Sequence, residues 1–443
     1  MEGKCPAYPE YKGTGVGWLD EVPSHWVISK IKYLSPFQVG WTPPTKNDAN
    51  FEGNNLWANI SDLRGRYVED TAKKISDDAA KAASMDISPK GSLLYSFKLS
   101  VGAVSFASQD MYTNEAIASF LEGGKLPLSY LYYALPKFVI ENASTNIYGA
   151  RILNQELINN AFMLAPSYQE AGAIANFLDH ETAKINTLIE KQQQLIKLLE
   201  EKRQAAISHA VTKGLNSNAP MLKSGLSWAP VVPSHWSLPP NRSILRIRRV
   251  LVGQRHSEYK LLSLTKRGVI VRDLSTGEGK HSDYLDRSQE VRPGDLVFCL
   301  FDVEETPRTI GLSKHLGMIS GDYTVLECSN GLAARFVEYF YKAMDDRKLL
   351  RPLYRGLRKR IPKPQFLRVK TPTPPPEEQS LIVQYLDDLE VRIDRLSEVA
   401  FKQVKLLEER REALISAAVT GKIDVRNWQA SEPSNKHNKE VAA

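Results

Sequence analysis

The sequence predicts an α+β protein with two tandem globular domains, each followed by a long helix. Two repeats predict this architecture. The pentapeptide VPSHW stands at residues 22–26 and again, 210 positions later, at residues 232–236. The segment LLEEKRQAAISHAVT at 198–212 recurs as LLEERREALISAAVT at 406–420, with 11 of 15 residues identical. A period of about 210 residues is far longer than that of a solenoid, so the chain is interpreted as two copies of one module.

Composition places the chain among ordinary globular proteins. Its residues are 42% hydrophobic and 25% charged, as in ordinary globular proteins. Its length of 443 residues is enough for two or three domains. The net charge of +7 indicates an anionic partner without identifying it. Three cysteines without a CxxC pair favour a reducing compartment, and no stretch approaches the roughly 18 apolar residues of a membrane span. A cytoplasmic location is therefore expected.

Weaker sequence repeats between the two modules indicate how the chain divides into domains and helices. Gly65 and Gly91 return as Gly268 and Gly294 at an offset of 203, and Gly-x-Arg at 149–151 returns at 356–358 at an offset of 207. Small loop insertions account for the variation of the repeat offset between 203 and 210 residues. The predicted segments are a first globular domain at 1–170, a first helical spacer at 171–215, a second globular domain at 216–375, a second helical spacer at 376–425 and a polar tail at 426–443.

Both helical spacers carry an apolar stripe typical of coiled coils. Gly214 and Gly421 supply the helix stops, and Glu377 and Glu378 suit a first turn. We expect the two helices to pair antiparallel about a pseudo-two-fold axis; the alternative is that each packs on its own globular domain. The stripes comprise Ile174, Leu178, Ile185, Leu188, Leu195 and Leu199 in the first helix, and Ile382, Leu386, Leu389, Ile393, Leu396, Ala400 and Leu407 in the second.

The globular domains alternate strand-like and helical runs. In the first, SLLYSF at 92–97 and GAVSFAS at 102–108 predict strands, and NEAIASFLEG at 114–123 predicts a helix. In the second, DLVFCLF at 295–301 predicts a strand, and GLAARFVEYFYKAM at 331–344 predicts a helix. This order indicates an α+β domain with a twisted, partly closed sheet.

Basic residues cluster in the second module, where residues 351–370 hold eight positive side chains and no acid. Arginine and lysine beside glycine turns suit contacts to DNA phosphates and guanine edges, although a solvated charged surface is the alternative. The candidate DNA-binding residues are Arg64, Arg66, Lys98, Tyr148 and Arg151 in the first module, and Lys266, Arg267, Arg308, Tyr354, Arg355, Arg358, Lys359 and Arg360 in the second.

The sequence contains none of the catalytic motifs that its DNA-binding character would make relevant. The chain has no Asn-Pro-Pro-Tyr, no GxxxxGK[ST] loop and no HExxH. Asp295 with Glu304 and Glu305 lacks the lysine of a nuclease site, and an Asp after Pro-Gly is typical of a turn. His25 and His235 are interpreted as turn or packing residues beside tryptophan. The sequence thus predicts no catalytic residue and no metal site.

These motifs resemble the specificity subunit of type I restriction–modification systems, across nearly the whole chain. The resemblance rests on GWLDEVPSHW at 17–26, its echo WAPVVPSHW at 228–236, NEAIASF at 114–120, PPPEEQSLIVQYLD at 374–387 and LLEERREALISAAVTGKID at 406–424. In one place the chain departs from the family pattern. At 165–179 it reads APSYQEAGAIANFLD, where the family has a proline pair followed by Glu-Gln, so the start of the first helix is open to question.

The resemblance implies a non-catalytic subunit with two target-recognition domains, each reading one half of an interrupted, asymmetric DNA sequence. It implies two modification subunits that methylate adenine, and restriction subunits as further partners. No cofactor is expected in this chain; S-adenosylmethionine, ATP and Mg²⁺ would belong to the partner subunits. Two alternatives remain open: a standalone DNA-cleaving enzyme, and a protein-only adaptor or anti-restriction mimic.

Overall fold

The computed structural model describes residues 6–98, 101–145, 151–272, 285–303, 308–329 and 331–430. The chain forms two compact units. The first contains residues 1–191 and 403–443, and the second contains residues 192–402. Each unit therefore combines one globular part with a segment of both long helices. Among the described residues, no helix combines the length and apolar character needed to cross a membrane.

A five-stranded sheet in the order β4-β11-β8-β9-β6 is the centre of the first unit. Its helix α2 packs with this sheet in one core that includes Leu93, Phe120, Leu131 and Phe138. The elements are β1 Tyr11–Val16, β2 Leu19–Pro23, β3 Val27–Lys30, β4 Phe37–Val39, β5 Asn55–Ala58, β6 Tyr67–Val68, β7 Lys74–Ile75, α1 Asp77–Ala82, β8 Leu93–Ser96, β9 Val104–Ala107, β10 Tyr112–Thr113, β11 Ile117–Phe120, α2 Leu128–Phe138, β12 Ser144–Thr145, β13 Arg151–Ile152, α3 Gln155–Asn160 and β14 Phe162–Ala165.

The helix predicted at 114–123 is wrong, because this run forms strand β11. All four residues of β11 are buried, and the strand pairs antiparallel with β4 on one side and β8 on the other. A short apolar run has no periodicity that separates a central strand from a helix, and here the pairing of two neighbours decides. The helix of this domain is α2 instead, which the sequence did not reveal because it contains Pro136.

A four-stranded sheet in the order β17-β24-β21-β22 organises the second unit. The helix predicted at 331–344 is confirmed as α6, which packs on this sheet. The elements are β15 Met221–Leu226, β16 Ala229–Pro233, α5 Asn241–Ile244, β17 Leu245–Ile247, β18 Leu262–Thr265, β19 Gly268–Val271, β20 Gln289–Val291, β21 Leu296–Phe298, β22 Ile310–Leu312, β23 Gly317–Ile319, β24 Thr324–Cys328, α6 Ala334–Asp346 and α7 Lys363–Arg368.

Two long helices extend the globular parts: α4 at Tyr168–Lys213 and α8 at Pro376–Val419. They run antiparallel within each unit. In the first unit Arg411 Nη1 donates to Asn186 Oδ1 at 2.8 Å. In the second unit, 17 residues further along α4 and 17 residues back along α8, Arg203 pairs with Asp394. The antiparallel pairing expected from the apolar stripes is therefore confirmed.

Part of each apolar stripe faces solvent instead of a partner helix. Ile174 and Leu178 are buried in the core of the first unit, and Ile382 and Leu386 in that of the second. The alternative interpretation, packing on the globular part, thus holds for the start of each helix. Leu188, Leu195 and Leu396 are all exposed, so the antiparallel pairing does not bury these three residues of the stripes.

Candidate nucleic-acid interface

The first VPSHW segment joins the beginning of α4 to the end of α8. Glu170, in the first turn of α4, has a side chain that is 5% exposed. Trp26 Nε1 donates to its Oε1 at 3.0 Å, and His25 Nε2 lies 2.9 Å from its Oε2. Gly421, just past the end of α8, lies against Pro23 and the Trp26 ring. We call this set the helix clamp of the first unit.

The second VPSHW segment builds the same helix clamp in the second unit. Glu378 of α8 accepts from Trp236 Nε1 at 3.0 Å, and His235 Nε2 lies 2.7 Å from its Oε2. Gly214, after the end of α4, lies against Trp236. The repeated pentapeptide therefore fixes the two helix ends that meet in each unit. Its histidines are partners of a carboxylate. Sequence reasoning placed Glu378 in the first turn of the second helix, but it assigned neither Glu170 nor Glu378 as the partner of these side chains.

The altered start of the first helix keeps this clamp by a different cap. Ser167 replaces a proline, and its Oγ accepts a hydrogen bond from the Glu170 backbone N–H at 3.2 Å. A serine oxygen that accepts from the third residue beyond it is a helix N-cap. The helix therefore begins with different residues and still presents Glu170 where α8 presents Glu378.

A tyrosine–aspartate pair fastens each globular part to a long helix. Tyr133 of α2 donates to Asp179 of α4 at 2.6 Å, and Tyr339 of α6 donates to Asp387 of α8, also at 2.6 Å. The two aspartates are 208 residues apart, which is the offset of the repeated helix segment. Burial and the hydrogen bond to Asp179 raise the pKa of Tyr133 to about 12. In both modules the globular part is thus attached to a long helix by the same tyrosine–aspartate hydrogen bond.

Among the DNA-binding candidates of the first module, Arg66 pairs with the same helix aspartate as Tyr133 does. Its Nη1 and Nη2 donate to the two Asp179 oxygens at 2.6 and 2.8 Å, and its guanidinium lies 5.0 Å from the Tyr132 ring centroid. Burial lowers the pKa of Arg66, but the Asp179 carboxylate outweighs it and keeps the pKa above its usual value. Arg66 is therefore paired with a helix carboxylate, and 34% of its side chain remains exposed.

The other candidates of the first module lie at the surface. Arg64 is exposed, and its Nε donates to Ser61 O at 2.7 Å. Lys98 is exposed beside the Phe97 ring. Arg151 is the first residue of β13, and its Nη1 lies 4.0 Å from Glu141 Oε1. Tyr148 lies outside the described residues.

In the second unit, two candidates form the tip of a hairpin. Strands β18 and β19 pair antiparallel up to Thr265 and Gly268, which leaves Lys266 and Arg267 as a two-residue loop. Both are exposed. Arg308, by contrast, has a side chain that is 16% exposed and is paired with Asp346 of α6. The first two are therefore available to a ligand, whereas Arg308 supports the fold.

Four further candidates form a second, shorter hairpin, at residues 355–360. The Arg355 N–H donates to Arg360 O at 2.8 Å, and the Arg360 N–H donates to Arg355 O at 3.0 Å. Arg358 Nη2 donates to Asp302 at 2.6 Å, a hydrogen bond that lowers the pKa of Asp302. Lys359 takes a positive φ of 43° within the turn. Tyr354 precedes the hairpin and packs against the hydrophobic core.

The surface around this 355–360 hairpin is strongly basic. Residues 347–376 include no acid. Seven of the eight basic side chains between 351 and 370 are exposed, Lys359 being half-buried. Such a surface suits the DNA backbone, which carries one negative charge per roughly 1.7 Å of duplex.

The carboxylates considered for a nuclease site do not resemble one. Asp295 is buried, pairs with Arg248 and accepts from the Arg292 N–H at 2.6 Å, as expected of a turn-forming Asp. Glu304 and Glu305 lie outside the described residues. Within the residues that the structure describes, no group of three or more His, Cys, Asp or Glu side chains is placed to hold a metal ion.

Comparisons with known proteins agree with this architecture. A family model described as the type I restriction modification DNA specificity domain matches residues 23–198. The MjaVIII type I restriction enzyme specificity subunit of Methanocaldococcus jannaschii is 22% identical over 92% of this chain and 95% of its own length. The MjaIX specificity subunit of the same organism is 26% identical over 43% of this chain, and that alignment spans less than half, 44%, of the relative.

Solved structures share the fold. A chain from work on complex assembly and conformational transition of the type I R-M system has a TM-score of 0.67 at 13% identity and covers 91% of this chain and 99% of its own. The HsdS subunit from Thermoanaerobacter tengcongensis has a TM-score of 0.50 at 14% identity, covering 91% and 98%. Residues 23–198 therefore match a type I restriction modification DNA specificity domain, and the chain as a whole shares the fold of these solved structures.

Proposed function

We propose that this chain is the DNA-recognition subunit of a type I restriction–modification complex and reads a bipartite, asymmetric target with a fixed gap. One observation carries the proposal: both units use the same helix clamp and the same tyrosine–aspartate pair, while their globular surfaces differ. A shared scaffold with two unlike surfaces is what two unlike half-sites require. The long helices α4 and α8 are expected to set the gap.

The long helices also support a role in assembly. In the second unit, large apolar side chains on α4 and α8 are exposed, among them Leu198, Leu381, Val391 and Phe401. Contiguous patches of exposed apolar side chains mark protein-binding surfaces, and we propose that these side chains contribute to such a patch. The partners proposed for them are two adenine-methyltransferase subunits and, in a restriction complex, the restriction subunits. S-adenosylmethionine, ATP and Mg²⁺ are then needed by those partners.

Mapping of methylated adenines in the host genome tests this function. We expect one bipartite motif with a fixed gap, and we expect it to vanish when the gene is deleted. Replacing residues 30–165 with the equivalent domain of another family member should change one half of the motif and leave the other half and the gap unchanged, because each half-site is read by one domain.

Three results would contradict the proposal. A domain exchange that altered both halves, or neither, would separate the domains from half-site reading. Mg²⁺-dependent cleavage of DNA by the purified chain alone would favour the nuclease alternative. Binding of methyltransferase subunits without any effect on methylation would favour the adaptor.

The basic surface of the second unit predicts a salt-dependent contribution to affinity. In the assembled complex, Arg360→Gln should weaken binding to target and non-target duplexes by a similar factor. It should also lower the slope of log K against log[salt] by about 1, because one phosphate contact is lost. Lys197→Gln on α4, whose side chain is 79% exposed, is the matched control and should leave the slope unchanged. A loss confined to the target sequence would instead make Arg360 a reader of bases.

A further inference from the structure

The 355–360 hairpin ends in an apolar side chain. Leu357 has a relative exposure of 103%, and the next most exposed large hydrophobic residue of the described chain is Val391 at 68%. Gly356 directly before it has φ +69°, and an added Cβ there would meet no atom within 4 Å. The Leu357 side chain is therefore held in solvent by the turn and does not pack on the protein surface.

This hairpin is held firmly at its base. The Asp302 N–H donates to Arg358 O at 2.9 Å, and the Asp302 carboxylate accepts from the Arg358 side chain at 2.6 Å. The Ile361 N–H donates to Leu300 O at 2.9 Å, and the Ile361 side chain is 2% exposed. Leu357 is consequently presented by an ordered loop, which lowers the entropic cost of inserting it into a partner.

The charges around Leu357 define what it can enter. Arg355, Arg358 and Arg360 flank it in the sequence; Asp302 pairs with Arg358, whereas the side chains of Arg355 and Arg360 are exposed. A partner must therefore be anionic outside and apolar within reach of a leucine. A DNA duplex has both properties, because its phosphates flank a stack of apolar base faces. Leucine is one of the side chains that DNA-bending proteins insert between base pairs.

We propose that Leu357 inserts into the base stack of the half-site read by the second unit, while Arg355 and Arg360 contact the phosphates on either side. This rests on the proposed function. Arg358, held by Asp302, positions the loop. In the first module the repeat places Ala150 at the position of Leu357. A methyl group is too short to separate two base pairs, so the insertion is confined to one half-site.

The test uses the full chain assembled with its methyltransferase subunits and a duplex carrying the mapped motif. 2-Aminopurine is placed at each position of both half-sites in turn. For the wild type we expect a severalfold rise in fluorescence at one step of one half-site, apart from the methylated adenines, which the methyltransferase itself flips out. Leu357→Ala should abolish that rise and weaken binding by about tenfold, since one leucine side chain is no longer buried.

Two controls make the result specific. Leu316→Ala removes another exposed leucine of the second unit, 57% exposed, and should change neither fluorescence nor affinity. A mismatch at the unstacked step should restore binding by Leu357→Ala, because the base pair is already weakened. A rise that persists in Leu357→Ala, or no rise beyond the methylated adenines, would overturn the insertion while leaving sequence recognition intact. A wild-type complex that bound the motif no better than a scrambled duplex would overturn both proposals.

Discussion

Gly421→Ala is expected to destabilise the first unit by about 3 kcal/mol. Gly421 has φ +73°, a conformation that costs an L-residue roughly 1–2 kcal/mol. An added Cβ would also lie 2.4 Å from Pro23 Cδ and 2.6 Å from Pro23 Cγ. A proline ring has no rotamer that relieves this clash, and overpacking of this kind typically costs 1–3 kcal/mol. Hydrogen exchange of peptides from each unit measures the effect, because it reports local opening.

Alanine substitutions at two other glycines distinguish the cost of backbone strain from the cost of the steric clash. Gly15 has φ +66° with no atom within 4 Å of an added Cβ, so Gly15→Ala should cost roughly 1 kcal/mol, from the backbone alone. Gly214 has the same φ as Gly421, but its closest neighbour, at 2.8 Å, is the end of the flexible Glu378 side chain. Gly214→Ala should fall between the two. Equal costs for Gly15→Ala and Gly421→Ala would show that the contact with Pro23 is not tight.

The duplicated scaffold was predictable because its signals are local. The VPSHW repeat, the helix stops at Gly214 and Gly421, and the acidic first turn of α8 each depend on residues adjacent in the sequence. Backbone geometry agrees, with φ +73° at both glycines. The apolar stripes likewise predicted the antiparallel helices. Sequence spacing alone does not say which stripe residues find a partner, and Leu188 and Leu195 are exposed.

The candidate site was less predictable because its decisive contacts are distant in sequence. Arg66 pairs with Asp179, 113 residues away, and Arg308 with Asp346, 38 residues away. No local pattern distinguishes an arginine that binds a helix from one that faces DNA. The arginine beside each helix aspartate also comes from a different element, Arg66 from before β6 and Arg335 from α6. A repeat search therefore finds the aspartates and misses their arginines.

Glu170→Ala is expected to cost the first unit about 3–4 kcal/mol. The carboxylate accepts from Tyr8 OH at 2.8 Å and from Trp26 Nε1 at 3.0 Å, and both donors are in buried side chains. Leaving a buried donor without its acceptor costs roughly 1–3 kcal/mol for each group. Tyr8 and Trp26 both donate to Oε1, so Glu170→Gln can retain the acceptor of both, and its cost should be smaller. The free energy of local opening, from hydrogen exchange of β3 and the start of α4, checks both changes.

The second unit offers the matched comparison for this carboxylate. Glu378 has the same histidine and tryptophan partners, but its side chain is 22% exposed, against 5% for Glu170. The position that corresponds to Tyr8 is Asn218, so no tyrosine donor is lost. Water can reach the donors that Glu378→Ala leaves, and the cost should be about 1–2 kcal/mol. If the two alanine variants lost equal stability, burial of the acceptor would not govern the helix clamp, and the ring contacts with Gly421 and Gly214 would be its main source of stability.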